Sequence, residues 1–219
     1  MTSTVLDIWN AALLAVNGRG QLSSLTEASR ERELCARFYD LTVQTVQEAA
    51  NWPASRSLER LALVSTQAAL WVPGLPPPEY TYAYALPSGY LRAWYMSDYS
   101  EFIIGYDAIT ATTQVYSNTP EAILTYSRLQ PVVQLWTPGQ QQATIYGLAG
   151  HIAGALTGKP SLIQASFQKA NRFLEEAQAS AVSQFSHFES VPDWIAARNG
   201  QSAPALAHFT YPFGAFFSG

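Results

Sequence analysis

Residues 24–56 read SLTEASRERELCARFYDLTVQTVQEAANWPASR, and this stretch decides how the rest of the chain is interpreted. Ser24 and Glu27 have the spacing of a capping box, in which serine and glutamate side chains bind free N–H groups at a helix start. We therefore predict that a helix begins at Ser24. Pro53 ends it, because the residue before a proline is driven out of helical geometry. Apolar and small residues recur along one predicted face at three- and four-residue steps: Leu34, Phe38, Leu41, Thr42, Thr45, Val46 and Ala49.

Short motifs follow one another in this stretch, namely Ser24-Leu25, Leu34-Cys35, Tyr39-Asp40 and Asn51-Trp52. Their order and spacing resemble the head-to-tail adaptor proteins of short-tailed bacteriophages, the tail tubular protein A family. A later run, Tyr84 to Arg92, resembles a recurrent element of that family, Tyr-x-Leu-Pro followed by a Leu-Arg strand. The resemblance continues in order through the helical region that ends near Phe185. The last thirty or so residues align with no general motif of the family.

The composition is poor in charge. Only 13% of the 219 residues are Asp, Glu, Lys or Arg, while 48% are hydrophobic and 13% aromatic, against about a quarter charged in ordinary domains. Such a surface is expected for a protein covered by partners, or for a monomer coated with neutral polar residues, and composition leaves both open. The net charge of −4 lacks the basic footprint of a tight nucleic-acid binder or a membrane-surface protein.

Targeting and redox signals are few. The single cysteine, Cys35, excludes an intrachain disulfide and lies on an apolar helical stripe, so we expect a buried small hydrophobe. Asp7 and Asn10 interrupt the early apolar run, which argues against a signal peptide and for synthesis in the host cytoplasm. The longest apolar segment, Ala143 to Leu156, is too short to cross a bilayer.

Helical periods flank a region of strand period. A first helix is predicted after the N-cap Thr4 and before Asn17-Gly18, with one buried face: Val5, Ile8, Trp9, Ala12, Leu13 and Val16. Arg56 to Leu75 fits either a strand or a short helix. After the proline run at 76–78 the period becomes two, which predicts about five to seven short strands: a run with Tyr80, Tyr82 and Tyr84 on one aromatic face, then Leu91–Met96, Glu101–Tyr106, Ala108–Ala111, Gln114–Tyr116 and Ala122–Tyr126.

A second helical hairpin is predicted after Pro131. Thr137-Pro138 is an N-cap followed by proline at the first helical position, and the helix is expected to end near Thr157, before Gly158. Another helix is expected from Ser161. Its predicted apolar stripe contains Leu162, Ala165, Phe167, Ala170, Phe173, Leu174, Ala177, Ala181 and Phe185.

Together these patterns predict an α+β fold. A four-helix bundle forms from two helical hairpins, residues 1–56 and 132–187, with a small antiparallel β-sheet or sandwich inserted at 57–131. Residues 188–219 form an extended tail. That tail is unusual because disordered segments avoid aromatic side chains, which seek burial. We expect its rings to contact the portal or a neighbouring subunit, with packing on its own bundle as the alternative: Trp194, Phe209, Tyr211, Phe213, Phe216 and Phe217.

No catalytic, cofactor-binding or metal-binding constellation is found in the sequence, so we expect that the protein is not an enzyme and holds no cofactor. His151, His187 and His208 lie far apart and lack the spacing of a zinc site. Glu175 and Glu176 occupy consecutive helical positions and do not converge on one point. On the second helix Arg30, Arg32 and Arg37 alternate with acidic residues, which predicts a salt-bridged exterior with Glu31 and Glu33.

The resemblance implies a virion structural protein. It would form a ring of twelve copies between the portal protein and the tail nozzle protein, with tail fibres as a further contact, and DNA would pass through the lumen without tight binding. The resemblance places the β domain toward the nozzle and fibres, where these aromatic residues would lie: Tyr80, Tyr82, Tyr84, Tyr90, Trp94 and Tyr95. The alternative function is a tail-associated binding module that uses these rings to hold a receptor glycan or peptide. Core packing is the third explanation for the same rings.

Overall fold

The computed structural model describes residues 3–17, 21–66 and 76–184, and it confirms the predicted α+β class. The helices are α1 (Val5–Asn17), α2 (Arg30–Ala49), α3 (Pro138–Thr157) and α4 (Pro160–Gln184), with a 3-10 turn at Val133–Leu135. The strands are β1 (Arg56–Arg60), β2 (Leu63–Thr66), β3 (Tyr82–Ala85), β4 (Tyr90–Met96), β5 (Phe102–Asp107), β6 (Thr112–Ser117) and β7 (Ile123–Arg128). The chain divides into a helical unit, Met1–Trp52 with Val132–Gly219, and a β unit, Pro53–Pro131.

Helix α1 begins as its sequence predicts. The Asp7 backbone N–H donates to Thr4 Oγ1 at 3.3 Å, and the Asp7 carboxylate accepts from the Thr4 N–H and hydroxyl at 2.8 Å each. This reciprocal cap satisfies donors that a helix start leaves free. Apart from half-buried Val5, the predicted face is buried, and Ala12 and Leu13 are fully enclosed.

Helix α2 does not begin at the predicted capping box. Its N-cap is Ser29, whose Oγ accepts from the Arg32 N–H at 3.3 Å. The Glu27 carboxylate instead accepts from the Ser23 N–H and hydroxyl at 2.8 and 2.9 Å, and Ser24 bonds Thr26. The predicted capping box at Ser24 was wrong because the Glu27 carboxylate binds Ser23 instead of Ser24. Residues 24–29 therefore form a loop.

The buried face of α2 is also rotated from the predicted stripe. Leu41 is 53% exposed, whereas Val43 and Gln47, absent from the prediction, are buried. On α4 the predicted core residue Ala165 is exposed, and the neighbouring Ser166 is buried. Sequence period locates a face only approximately, and the helices packed on it set its centre. Ala181 and Phe185 lie outside the residues whose side chains the structure describes.

Helix α3 is central to the helical unit, and α1, α2 and α4 all pack on it. It begins with the predicted N-cap Thr137, whose Oγ1 accepts from the Gln140 N–H, and it ends at Gly158, whose φ of 64° lies in the left-handed region that favours glycine. One core cluster joins α1, α2 and α3 around Leu13, Cys35 and Ile152. A second joins α2, α3 and α4 around Val46, Ala143 and Leu174.

The β unit is a two-sheet sandwich. One sheet has the strand order β1-β7-β4 and the other β2-β3-β6-β5, and every described pair is antiparallel. The core between them takes side chains from both sheets, among them Tyr84 and Val115 from one and Met96, Leu124 and Tyr126 from the other. The range Arg56 to Leu75, which fits a strand or a short helix in sequence, contains β1 and β2, and its residues 67–75 lie outside the described residues.

Two turns of the β unit depend on local turn chemistry. Gly89 has a φ of 72°, and its turn carries the chain from β3 in one sheet to β4 in the other. The predicted strand Ala108–Ala111 is wrong, since these residues form the turn of the β5–β6 hairpin. The Asp107 carboxylate accepts from the Ile109 N–H and the Thr110 hydroxyl, which favours a turn over an extended chain.

Candidate functional site

The tyrosines of β3 lie largely inside the sandwich. Tyr84 is 1% exposed, and its hydroxyl donates to the Thr119 carbonyl at 2.6 Å. Burial raises the pKa of Tyr84, so its hydroxyl stays a proton donor. Tyr82 lies beside it, with ring centroids 6.1 Å apart, and packs against the same core. Tyr80 precedes the strand and is half-buried.

The aromatic residues of β4 belong to the other sheet. Tyr90 packs against the sandwich core, 6.2 Å from the Tyr126 ring. The Trp94 indole N–H donates to Ser127 Oγ at 2.8 Å, and the Arg92 guanidinium lies 4.7 Å above the indole ring. Tyr95 stacks on Tyr99 at 5.4 Å. Trp94 and Tyr95 are therefore half-buried rings, one held by Arg92 and Ser127 of its own sheet and the other by Tyr99, which follows β4.

The six predicted aromatic residues thus do not share one surface. Tyr80, Tyr82 and Tyr84 accompany one sheet, while Tyr90, Trp94 and Tyr95 accompany the other, and Tyr84 is core. The predicted interface residues of the tail lie outside the described residues: Trp194, Phe209, Tyr211, Phe213, Phe216 and Phe217.

A different surface of the β unit, not singled out from the sequence, exposes large apolar side chains. On the β5–β6 hairpin Ile103 is 42%, Ile104 36%, Tyr106 68% and Ile109 61% exposed. The sequence does contain the apolar run Phe102-Ile103-Ile104. What it lacks is the information that β5 occupies the end of a sheet, since strand order is set by pairing with residues far along the chain.

The hairpin that carries these residues has a polar clamp. Besides the Ile109 N–H, the Asp107 carboxylate accepts from the Thr110 hydroxyl at 2.6 Å and from Gln114 Nε2 at 3.4 Å. The Thr110 hydroxyl is the main cause of a lowered pKa at Asp107. These bonds stabilise the turn that carries the exposed Ile109.

Two titratable groups of the helical unit lie in apolar surroundings: Cys35 is buried and His151 is half-buried. Burial raises the pKa of the Cys35 thiol to about 12 and lowers that of His151. Cys35 is therefore a protonated thiol in the core, as predicted from its stripe. His151 lies between the rings of Phe38 and Phe167, and this position explains it as a packing residue.

The arginines of α2 are not arranged as predicted. Arg30 donates to the Ala155 carbonyl of α3 at 2.9 Å, and Arg32 donates to the Leu25 carbonyl at 2.9 Å. No ion pair joins either of them to Glu31 or Glu33 within the described part of the chain. Backbone carbonyls compete well for a guanidinium because its several N–H donors need only a nearby acceptor.

Within residues 3–17, 21–66 and 76–184, no group of three or more His, Cys, Asp or Glu side chains is placed to hold a metal ion. In the same residues no helix is long and apolar enough to span a membrane. No protein-family model matches the chain, and no curated protein matches it in sequence.

Proposed function

We propose that the chain is a head-to-tail adaptor of a short-tailed bacteriophage, a structural protein that assembles as a ring between the portal and the tail nozzle. The observation that carries this proposal is the interrupted helical unit. Met1–Trp52 and Val132–Gly219 form one compact unit, and the β unit is inserted between them in sequence. The adaptor resemblance of Ser24–Trp52, Tyr84–Arg92 and Thr137–Phe185 implies the same order of helices, strands and helices.

The described surface supports a role in assembly. Large apolar side chains are exposed on both units, including Leu14 and Leu41 of the helical unit and Leu58 and Tyr106 of the β unit. Exposed apolar residues are ordinary when scattered. In a chain with only 13% charged residues, however, subunit contacts can cover such surfaces without burying many charges.

A DNA channel also suits this charge distribution. The chain has a net charge of −4, from 12 Lys and Arg residues against 16 Asp and Glu residues. DNA affinity grows with the number of phosphates that Lys and Arg neutralise. A ring wall with few cations would let DNA pass without holding it.

Ring closure needs a template in this proposal. Identical head-to-tail contacts close only if the rotation between neighbouring subunits is correct, and the portal ring would impose that rotation. We expect the purified chain to sediment mainly as a monomer. Mixed with the portal ring of the same virus, it should form a complex that negative-stain images show as a second ring of the same symmetry, twelve copies by resemblance.

A truncated chain that lacks Pro204–Gly219 tests the contribution of the C-terminal tail to assembly. It should keep the far-UV circular dichroism of the full chain and bind the portal more weakly. A closed ring without portal would contradict templated assembly. A trimer that binds glycans, with no affinity for the portal, would overturn the adaptor and favour the tail-associated binding module.

A further inference from the structure

Strand β5 is an open sheet edge. Among the described residues it pairs with β6 on one side and with no strand on the other. An edge strand presents alternate N–H and C=O groups to any chain that can pair with them. With β5 these groups accompany the exposed side chains of Ile103, Ile104 and Tyr106.

The other edge strands carry features that discourage pairing, and β5 does not. Strand β1 has the charged residues Arg56, Glu59 and Arg60. The register of β4 shifts twice along its pairing with β7, and β2 is four residues long with a shift of its own. Charges, bulges and short length are the usual protections of an edge. In β5 the register is continuous over six residues, and its single charge, Asp107, stands at the end.

We propose that β5 receives, as an added strand, residues 207–213 of the C-terminal segment of a second copy. This segment reads AHFTYPF and alternates aromatic with other residues, which is the period of a strand. Pairing of an extended segment with a free sheet edge is a common recognition mode. Pro212 suits an outermost strand, since its nitrogen would face away from β5 with Thr210, while Phe209, Tyr211 and Phe213 direct their backbone groups toward it.

Charge favours this occupant over pairing of β5 with another β5. In an antiparallel pair of two β5 strands, Asp107 of one copy would lie next to Glu101 of the other at both ends, and like charges at such positions are destabilising. Residues 199–219 contain no Asp, Glu, Lys or Arg. The segment therefore adds no repulsion beside the acidic ends of the hairpin.

The connection that leads to this segment is long. Residues 185–206 lie between the described part of α4 and the segment, and fully extended they would span at most about 75 Å. The side chains of Ile103, Ile104 and Tyr106 are exposed, and we assign the added strand to a second copy rather than to the same chain. The inference rests on the proposed function in one respect, because a ring places copies side by side.

The test is disulfide trapping between two full-length chains, one of which carries an affinity tag. Ile103→Cys and Ile104→Cys, one for each face of β5, are each mixed with Phe209→Cys, Tyr211→Cys and Phe213→Cys to sample the register. Concentrated protein is oxidised mildly and the mixed dimer is quantified. The buried Cys35 thiol stays unreactive. As a control, Lys159→Cys, at an exposed position between α3 and α4, replaces the β5 variant in the mixture.

We expect the β5 variants to give at least about ten-fold more mixed dimer than Lys159→Cys, in one register. Equal yields would overturn the inference. So would a predominance of Ile103→Cys homodimers, which would indicate β5 paired with itself. A doubly substituted chain that closes an internal disulfide faster than it forms dimers would show that its own segment is the occupant. If the chain forms a ring on the portal but gives no mixed dimers, only the proposed pairing with β5 is overturned. If mixed dimers form but the chain does not bind the portal, only the proposed adaptor function is overturned.

Discussion

The imidazole of His151 lies parallel to the ring of Phe38, with centroids 5.5 Å apart and an interplanar angle of 8°. The Phe167 ring meets the same imidazole edge-on at 5.2 Å. One side chain of α3 thereby joins α2 and α4. Because this environment is apolar, burial lowers the pKa of His151 and the folded protein holds the neutral imidazole.

We predict that the helical unit loses stability as the pH falls below about 6.5, the ordinary pKa of histidine. The unfolded chain then binds a proton that the folded chain resists, so the free energy of unfolding decreases as the pH falls. Above that pH the contribution is fully present. His151→Phe keeps an aromatic ring and removes the titration. Thermal unfolding from about pH 8 to pH 5 should show a steeper fall for the parent than for the variant, and parallel curves would contradict the role of His151.

The start of α2 can be tested by two serine substitutions. Ser29→Ala removes the acceptor for the Arg32 N–H and should lower the free energy of unfolding by about 1 kcal/mol, as the loss of an N-cap does. Ser24→Ala, at the start that the sequence predicted, should change it by less than about 0.5 kcal/mol. Denaturant titrations of both variants give the comparison. If Ser24→Ala were more destabilising than Ser29→Ala, α2 would begin at the predicted capping box after all.

Ser24 and Ser29 mark the limit of what the sequence predicts about helix ends. Thr4, Thr137 and Gly158 act through residues within four positions, so their helix ends were predictable. The start of α2 was not, because Ser23, Ser24 and Ser29 offer similar caps and the choice depends on where Glu27 turns. The buried face of α2 depended in turn on α3 and α4.

The candidate surfaces were harder to predict for a related reason. A two-residue period shows that Tyr82 and Tyr84 share a face, yet it gives no sign whether that face meets solvent or the opposite sheet. The exposure of β5 follows from the strand order β2-β3-β6-β5, which pairs residues far apart in sequence. Local sequence patterns predict the helices and strands, and long-range pairing decides which of them remain exposed.

A glycine of α3 provides a test of the α3–α4 contact. A Cβ at Gly150 would lie 2.6 Å from the Phe167 ring, whereas at Gly154 it would lie 3.3 Å from the flexible Cδ1 end of Ile163. Gly150→Ala should therefore destabilise the protein by about 1–3 kcal/mol through overpacking. Gly154→Ala should be neutral or stabilising by up to ~1 kcal/mol, because alanine favours the helix. Equal effects in thermal unfolding would show that Phe167 moves aside freely.

The end of α2 relies on side chains to satisfy its last carbonyl groups. The Trp52 indole N–H donates to the Val46 carbonyl at 2.7 Å, and Gln178 Nε2 of α4 donates to the Ala49 carbonyl at 3.0 Å. The last four carbonyls of a helix have no partner within it, and buried ones are costly to leave free. Trp52 is 3% exposed, so water cannot easily replace its indole.

We predict that Trp52→Phe lowers the free energy of unfolding by about 2 kcal/mol, because it removes both a buried hydrogen bond and part of a ring. Gln178→Ala, at a half-buried position, should lower it by about 1 kcal/mol, since solvent can partly replace the amide. Denaturant unfolding measures both. If the tryptophan variant were no less stable than the glutamine variant, the Val46 carbonyl would have found another donor, and Pro53 alone would suffice to end α2.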